Sequence, residues 1–316
     1  MKILANDGIT QKGIDTLEES GFEVILTQVA QEQLVAYINE HNITGLLVRS
    51  ATQVGKAIID SCPNLKLIGR GGVGMDNIEV SYAKNKGIHV INTPGASSES
   101  VAELVFAHLY GAVRFLYDSN RNMPLEGDSN FKQLKKAYSI GTELKGKTLG
   151  IIGFGKIGQA TAKIALGVGM KVVYSDHKMD SCDLTLRFFD QQEMRFQLKS
   201  STLSEVLKAS DFISIHVPAQ KKYVLGAHEF EQMKDGVGII NVARGGVLDE
   251  VALIDALENK KVAFAALDVF ESEPNPEIRI LMHPNISLSP HIGAATLEAQ
   301  DRIGMELSTQ IIALLK

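Results

Sequence analysis

Short apolar runs recur along the chain and alternate with stretches in which apolar residues return every third or fourth position. The first set of runs is Lys2–Asn6, Phe22–Thr27, Gly45–Arg49, Leu65–Gly69 and His89–Asn92. The second is Thr148–Gly153, Lys171–Asp176, Asp211–Val217, Gly238–Val242, Phe264–Val269 and Ile286–Ser289. Between them lie helical patterns such as Gln31–Asn39, where Leu34, Tyr37 and Ile38 share a face. Strands alternating with helices predict mainly parallel sheets joined by right-handed crossovers. Each set is large enough for one doubly wound α/β domain.

A long helix is expected from Ser97 towards Tyr117, capped by Ser98, with Val101, Leu104, Val105 and Leu109 on one side. The Thr93-Pro94-Gly95 turn before it reads as a hinge. The polar Asp118–Lys147 segment, punctuated by Pro124, Gly127, Gly141 and Gly146, reads as a loop-rich connection on the surface or reaching a neighbouring subunit. Lys178–Ser200 reads as a charged, irregular excursion, and Leu297–Leu315 as a final amphipathic helix.

The chain has 316 residues, 45% hydrophobic and 22% charged, which fits two globular domains and excludes a disordered or fibrous protein. No uncharged apolar run reaches bilayer length, so no membrane partner is expected. Met1–Asn6 reads as a strand rather than a secretory signal. Cys62 and Cys182 stand far apart without Cys or His companions, so neither a disulfide nor a metal site is expected, and a reducing cytoplasm is the simplest compartment. The net charge of −5, from 32 basic and 37 acidic residues, argues against nucleic acid. Lys132, Lys135 and Lys136 form the densest basic cluster and read as a solvated face. A small anionic substrate stays compatible, since a few arginines dominate locally.

One motif carries a cofactor signal. The apolar strand Thr148–Ile152 runs into Gly153-Phe154-Gly155-Lys156-Ile157-Gly158, an Ala/Ile-rich helix follows, and the next strand ends at Asp176. That is the context a dinucleotide-binding fingerprint requires. Gly153 makes the tight turn, Gly155 admits a pyrophosphate and Gly158 lets the helix pack closely, with Lys156 and Ile157 at the helix start. Asp176 accepts hydrogen bonds from ribose hydroxyls and repels a 2′-phosphate, which favours NAD over NADP.

Three later segments follow strands and end in reactive side chains: Val242-Ala243-Arg244, Asp268-Val269-Phe270-Glu271-Ser272-Glu273 and Pro290-His291-Ile292-Gly293-Ala294. Ligands in open parallel sheets collect at the carboxyl ends of strands, so these residues are expected to converge. Arginine grips a carboxylate, glutamate orients and charges an imidazole, and histidine exchanges a proton near neutrality. Oxidising a hydroxy acid beside a nicotinamide needs all three. His216, after a strand, reads as cleft lining or packing.

With their Arg-Gly-Gly, Asp-Val-Phe and Pro-His-Ile-Gly-Ala elements in order, these segments make the chain resemble the NAD-dependent D-2-hydroxyacid dehydrogenases over nearly its full length. The resemblance implies Arg244, Glu273 and His291 as catalytic residues, with His291 taking the hydroxyl proton as hydride leaves for the nicotinamide. Val73, Val217, Pro218, Val242, Ala243, Asp268, Gly293 and Ala294 are implied around the cofactor, together with Arg244, His291 and the glycine motif. It further implies a Rossmann-like dinucleotide-binding domain, 97–290, and a flavodoxin-like substrate domain, 1–96 with 291–316, to which the C-terminal helix returns.

In the N-terminal half, Val48-Arg49-Ser50-Ala51-Thr52 and Gly69–Ile78 are most like the phosphoglycerate dehydrogenase branch. That branch oxidises D-3-phosphoglycerate to 3-phosphohydroxypyruvate on the way to serine. Arg49 and Arg70 are then expected at the phosphate, and Ser50, Gly72, Val73 and Gly74 along the substrate with Arg244 and His291. The resemblance also implies a homodimer, or a tetramer, and no feedback by serine, since the branch's C-terminal regulatory extension is not seen. The alternatives are a glyoxylate/hydroxypyruvate reductase or another member of the family, and, in a different class, an NAD-responsive corepressor-like scaffold.

Overall fold

The computed structural model describes residues 1–316, which fall into two compact units: Met1–Ser100 with Ala294–Lys316, and Val101–Gly293. In the first unit β1 (Lys2–Ala5), α1 (Gln11–Glu19), β2 (Glu23–Ile25), α2 (Leu34–Glu40), β3 (Gly45–Val48), α3 (Lys56–Ser61), β4 (Leu67–Arg70), α4 (Val80–Asn85) and β5 (His89–Asn92) alternate strictly. Every pairing is parallel and the order is β2-β1-β3-β4-β5. Ile3, Leu46, Leu67 and Ile68 are fully buried, because the alternating crossovers place helices on both faces of the sheet.

The second unit begins in α5 (Ser98–Val113), then α6 (Leu116–Glu126) and α7 (Phe131–Ala137). Next come β6 (Thr148–Ile152), α8 (Lys156–Gly167), β7 (Lys171–Ser175), β8 (Ser181–Arg187), β9 (Glu193–Lys199), α9 (Leu203–Ala209), β10 (Phe212–Ile215) and α10 (Ala227–Gln232). The unit closes with β11 (Val237–Asn241), α11 (Glu250–Glu258), β12 (Val262–Leu267), α12 (Ile278–Leu281) and β13 (Ile286–Leu288). Its six-stranded parallel sheet runs β13-β12-β11-β10-β6-β7. Chain direction across the sheet reverses beside β6, so the loops after β6 and β10 flank a topological switch point.

Three expectations from the sequence are corrected. Asp118–Lys147 is not a loop-rich connection: α6 and α7 occupy much of it, with Pro124 inside α6. Neither helix has a buried residue, so no apolar stripe marks them, and polar bonds such as Tyr138 Oη to Asp118 at 2.8 Å tie them together. Lys178–Ser200 is not irregular: β8 and β9 form an antiparallel hairpin from Ser181↔Lys199 to Arg187↔Glu193. Leu184 and Leu186 are buried in the core that α8 covers, while Asp183, Arg187, Glu193 and Arg195 face out and hide the period-two signal among charges. The linking helix stops at Val113, followed by Phe115 in the left-handed region. Ser98 is its first residue rather than its cap, and the hydroxyl donates to Pro94 O at 3.4 Å.

The final helix, α13 (Leu297–Leu315), packs in the first unit. Ile303, Leu307 and Ile311 join Ile3, Leu17 and Leu67 in one buried cluster. Thr296 caps it, its Oγ1 accepting the Ala299 amide at 3.2 Å. Contact with α1 is close: a Cβ on Gly304 would overlap Thr10 Oγ1, and Ser308 Oγ donates to Gly13 O at 2.9 Å. Gly304→Val is therefore expected to cost about 1–3 kcal/mol of stability through overpacking. Chemical denaturation checks this; an unchanged midpoint would show that α1 and α13 do not meet as described.

Candidate active site

At the switch point β6 ends at Ile152 and the chain turns at Gly153, whose φ of 90° lies in the left-handed region. A Cβ there would sit 2.6 Å from His216 O, and one on Gly158 would overlap the Gly153 carbonyl, so α8 starts hard against the strand. Gly155 has open space where its Cβ would be. The result is an uncovered cradle at a helix N-terminus, the environment a pyrophosphate requires. Asp176 faces this loop from the end of β7: Oδ2 accepts the Phe154 amide at 2.6 Å and Oδ1 that of Lys178 at 2.7 Å. Val217 packs near Gly153, with Pro218 next in the loop after β10.

His216, in the same loop, is a packing residue. Its Nε2 lies 2.9 Å from Ser214 Oγ and 3.3 Å from Thr161 Oγ1, and burial of the ring pushes its pKa down to about 3.

The loop after β11 carries Arg244, with Val242 and Ala243 buried before it. Asn241 braces that loop, its Nδ2 donating to Arg244 O at 2.8 Å and its Oδ1 accepting the Ala243 amide at 3.1 Å. A Cβ on Gly245 would overlap the Phe270 carbonyl, so glycine is what lets the Arg244 loop lie directly against the loop after β12. That second loop holds Glu273. Its Oε1 accepts the Phe270 amide at 3.0 Å and its Oε2 lies 2.8 Å from His291 Nδ1. With the carboxylate accepting from Nδ1–H, Nε2 is left for a reactant. The pair is partly open, with side chains 43% and 37% exposed.

His291 has φ of 55°, an uncommon conformation for a residue with a Cβ. Asp268, 1% exposed at the end of β12, holds the turn. Its Oδ1 accepts Ser289 Oγ at 2.6 Å and the Ile292 amide at 2.8 Å, and its Oδ2 accepts the Gly293 amide at 2.8 Å.

The remaining candidates lie in the first unit. Arg49 follows β3 and Arg70 ends the adjacent β4, with Val48 and Arg70 in register. Asp7 shapes the Arg49–Thr52 loop, accepting the amides of Arg49 at 2.6 Å and Thr52 at 3.2 Å. The Arg49 guanidinium donates to Gln300 Oε1, and Gln300 Nε2 donates to Ala294 O at 2.6 Å. Burial lowers the Arg49 pKa, partly offset by Asp7. Arg70 donates from Nε to Asn77 Oδ1 at 3.4 Å, and Asn77 in turn donates to Arg49 O and Thr52 O at 2.8 and 2.6 Å. Gly72 lies under the Arg70 guanidinium, Val73 is 36% exposed, and Ser50 is exposed in the loop. Asp7, Asn77 and Gln300 were not legible in the sequence as site residues; each is a lone polar side chain that acts by bonding a loop.

A cavity of about 600 Å³ lies elsewhere, at the opposite strand ends of the second unit, lined by Lys147, Asp211, Phe212 and Lys234 among others. None of the candidate residues borders it. No helix is long and apolar enough to cross a membrane.

This fold has known counterparts. Residues 106–293 match the family model for D-isomer specific 2-hydroxyacid dehydrogenase, NAD binding domain. The chain belongs to that family: it is an NAD-binding oxidoreductase fold acting in a class whose substrates are small 2-hydroxy and 2-oxo acids. It is similar to a hydroxypyruvate reductase of Thermotoga maritima, with 42% identity covering 98% of this chain and 97% of the relative. It is also 37% identical to a D-3-phosphoglycerate dehydrogenase of Archaeoglobus fulgidus, covering 100% of this chain but only 58% of that protein's length. Among solved structures, a glyoxylate reductase from Paecilomyes thermophila superposes with a TM-score of 0.81 at 27% identity, covering 98% of this chain and 94% of that one.

The burial of His216 has a consequence for stability. Unfolded, the residue takes up a proton as pH falls through about 6.5; folded, it refuses one until about pH 3. Stability is therefore full above the unfolded value and declines through that window, by about 1.4 kcal/mol per pH unit from this group. His216→Gln is expected to reduce the slope of unfolding free energy against pH by one proton near pH 5. An unchanged slope would mean that His216 titrates normally in the folded protein.

Proposed function

We propose that this chain interconverts a D-2-hydroxy acid and its 2-oxo acid, and that its hydroxy acid is 3-phosphoglycerate. The observation carrying the chemistry is the 2.8 Å pairing of His291 Nδ1 with Glu273, held beside the Arg244 loop. Gly153–Gly158 would hold the pyrophosphate of NAD, and Asp176 would take the ribose hydroxyls and disfavour a 2′-phosphate. Val217, Pro218, Val242, Ala243, Asp268, Gly293 and Ala294 surround the rest of the cofactor, along with Val73. Bound NAD would supply the acceptor for a hydride from the substrate's C2, and NADH the donor for the reverse reaction. His291 Nε2 takes the hydroxyl proton in oxidation and supplies it to the carbonyl oxygen in reduction. Glu273 stabilises the imidazolium so formed, and Arg244 holds the carboxylate and the reacting oxygen, where negative charge develops.

The first unit is then the substrate domain and the second the dinucleotide-binding domain. Two guanidiniums at neighbouring strand ends, Arg49 and Arg70, supply charge for a phosphate, with Ser50 and Gly72–Gly74 along the substrate. Leu116, Leu125 and Ile140, exposed on and after the paired helices α6 and α7, support a homodimer. A reducing cytoplasm is the compartment that suits its two free cysteines. The second reading is hydroxypyruvate reduction, favoured by the 42% identity to a hydroxypyruvate reductase over nearly the whole of both chains.

His291→Ala is expected to lower turnover by about 10²–10⁴-fold with NADH binding largely kept. Near-normal turnover would remove the proton-transfer role. Arg49→Ala separates the two substrate readings. Loss of a charge-assisted phosphate contact should raise KM for 3-phosphoglycerate by roughly ten- to hundredfold and leave that for D-glycerate little changed. Equal losses on both would assign Arg49 to the shared end of the substrate or to the loop itself, and favour hydroxypyruvate reduction.

A further inference from the structure

Asp268 clamps the His291 turn, and the Ser289 hydroxyl is aimed at it by a further contact. The Ser289 side chain is nearly buried, and a hydroxyl has one proton to give. That proton goes to Asp268 Oδ1, which also accepts the Ile292 amide, while Oδ2 accepts Gly293. A carboxylate can only accept, so the proton in the Ser289–Asp268 bond is the hydroxyl's. Ser289 Oγ must therefore act as acceptor in its other contact, 2.9 Å from His108 Nε2.

His108 stands on α5, 7% exposed, with its other nitrogen, Nδ1, 2.8 Å from Ser287 Oγ. The direction of every bond follows. His108 carries its proton on Nε2 and donates it to Ser289, so Nδ1 is a bare acceptor that takes the Ser287 hydroxyl. The chain of donors runs Ser287 to His108, His108 to Ser289, Ser289 to Asp268. Burial lowers the His108 pKa, with Asp268 opposing, consistent with a neutral imidazole here.

We propose that His108 is a positioning residue for the dehydrogenase reaction: in its Nε2–H form it locks the Ser289 hydroxyl onto Asp268, and so fixes the strained turn that presents His291 to Glu273. This rests on the proton-transfer role given to His291 above. His291 is held in its left-handed conformation from both sides of this arrangement, by its own amide donating to Ser289 O at 3.1 Å and by the two following amides on Asp268. Ser289 thus contributes twice, with its carbonyl to His291 and its hydroxyl to the clamp, and His108 sets the rotamer that allows both. His108 touches neither substrate nor cofactor in this assignment.

The test compares His108→Leu, His108→Gln, Ser289→Ala and the His108→Leu/Ser289→Ala pair in NADH-dependent reduction of hydroxypyruvate and 3-phosphohydroxypyruvate. His108→Leu is expected to lower kcat about tenfold on whichever acid is turned over, with KM for NADH within about twofold. Glutamine can both donate and accept, so His108→Gln should recover most of that loss. The double variant should be no slower than Ser289→Ala, since both changes break the same chain of bonds. An unchanged kcat in His108→Leu, no recovery with glutamine, or additive losses in the double variant would each overturn the proposal. A readout independent of activity is the ¹⁵N spectrum of the His108 ring at neutral pH. A protonated Nε2 and bare Nδ1 are expected; the opposite tautomer or a charged ring overturns the relay alone. Wild-type turnover in His291→Ala, by contrast, overturns the proton-transfer role on which the relay depends.

Discussion

The carboxylate of Asp268 is the constraint on which the catalytic end of the second unit depends. Three donors converge on it from the segment Ser289–Gly293, within 2.6–2.8 Å. A buried carboxylate left without partners would be costly, so these bonds fix the charge and the turn together. The backbone of His291 is uncommon because the turn demands it, and the turn persists because Asp268 holds the two amides that follow. Without that anchor, His291 would have no reason to keep the geometry in which Nδ1 meets Glu273.

The glycines extend the same logic to the neighbouring loops. Parallel strands deliver Arg244, Asp268 and Ser289 at the same edge of one sheet, but strand spacing alone does not bring loop side chains to bonding distance. Gly245 does so for the Arg244 loop by giving room to the Phe270 carbonyl, next to the amide that orients Glu273. At the switch point Gly153 and Gly158 compress β6, α8 and the His216 loop, and leave Gly155 as the uncovered position. Close packing on one side is what makes the cradle open on the other.

Much of this was legible in the sequence, for reasons that can be stated. Strands buried on both faces read as continuous apolar runs, so all eleven strands of the two parallel sheets were found, with small shifts at their ends. The glycine motif, Asp176 and the Arg244, Glu273 and His291 segments were legible because each pairs an unusual residue pattern with a preceding strand. Helices α6 and α7 escaped because they bury nothing, and pattern reading detects only buried faces. The β8–β9 hairpin escaped although Cys182, Leu184 and Leu186 alternate, because charged neighbours lowered the contrast. The supporting residues Asp7, Gln300, Ser289 and His108 carry no pattern at all. Their partners lie on other elements, and only the fold brings them together.

Three histidines of the second unit show how environment, not residue type, divides these roles. The ring of His216 is packed beside two hydroxyls, and burial of its nitrogens holds it neutral far below the usual range. His108 is buried, and each of its nitrogens has a hydroxyl, so its neutral form is given a direction. His291 is partly open and, alone of the three, pairs with a carboxylate. A proton carrier must reach its reactant and be stabilised when charged, and among these three only His291 meets both conditions. His108 and His216, whose pKa values burial lowers, can instead hold bonds in place through a catalytic cycle, which is what a positioning residue requires.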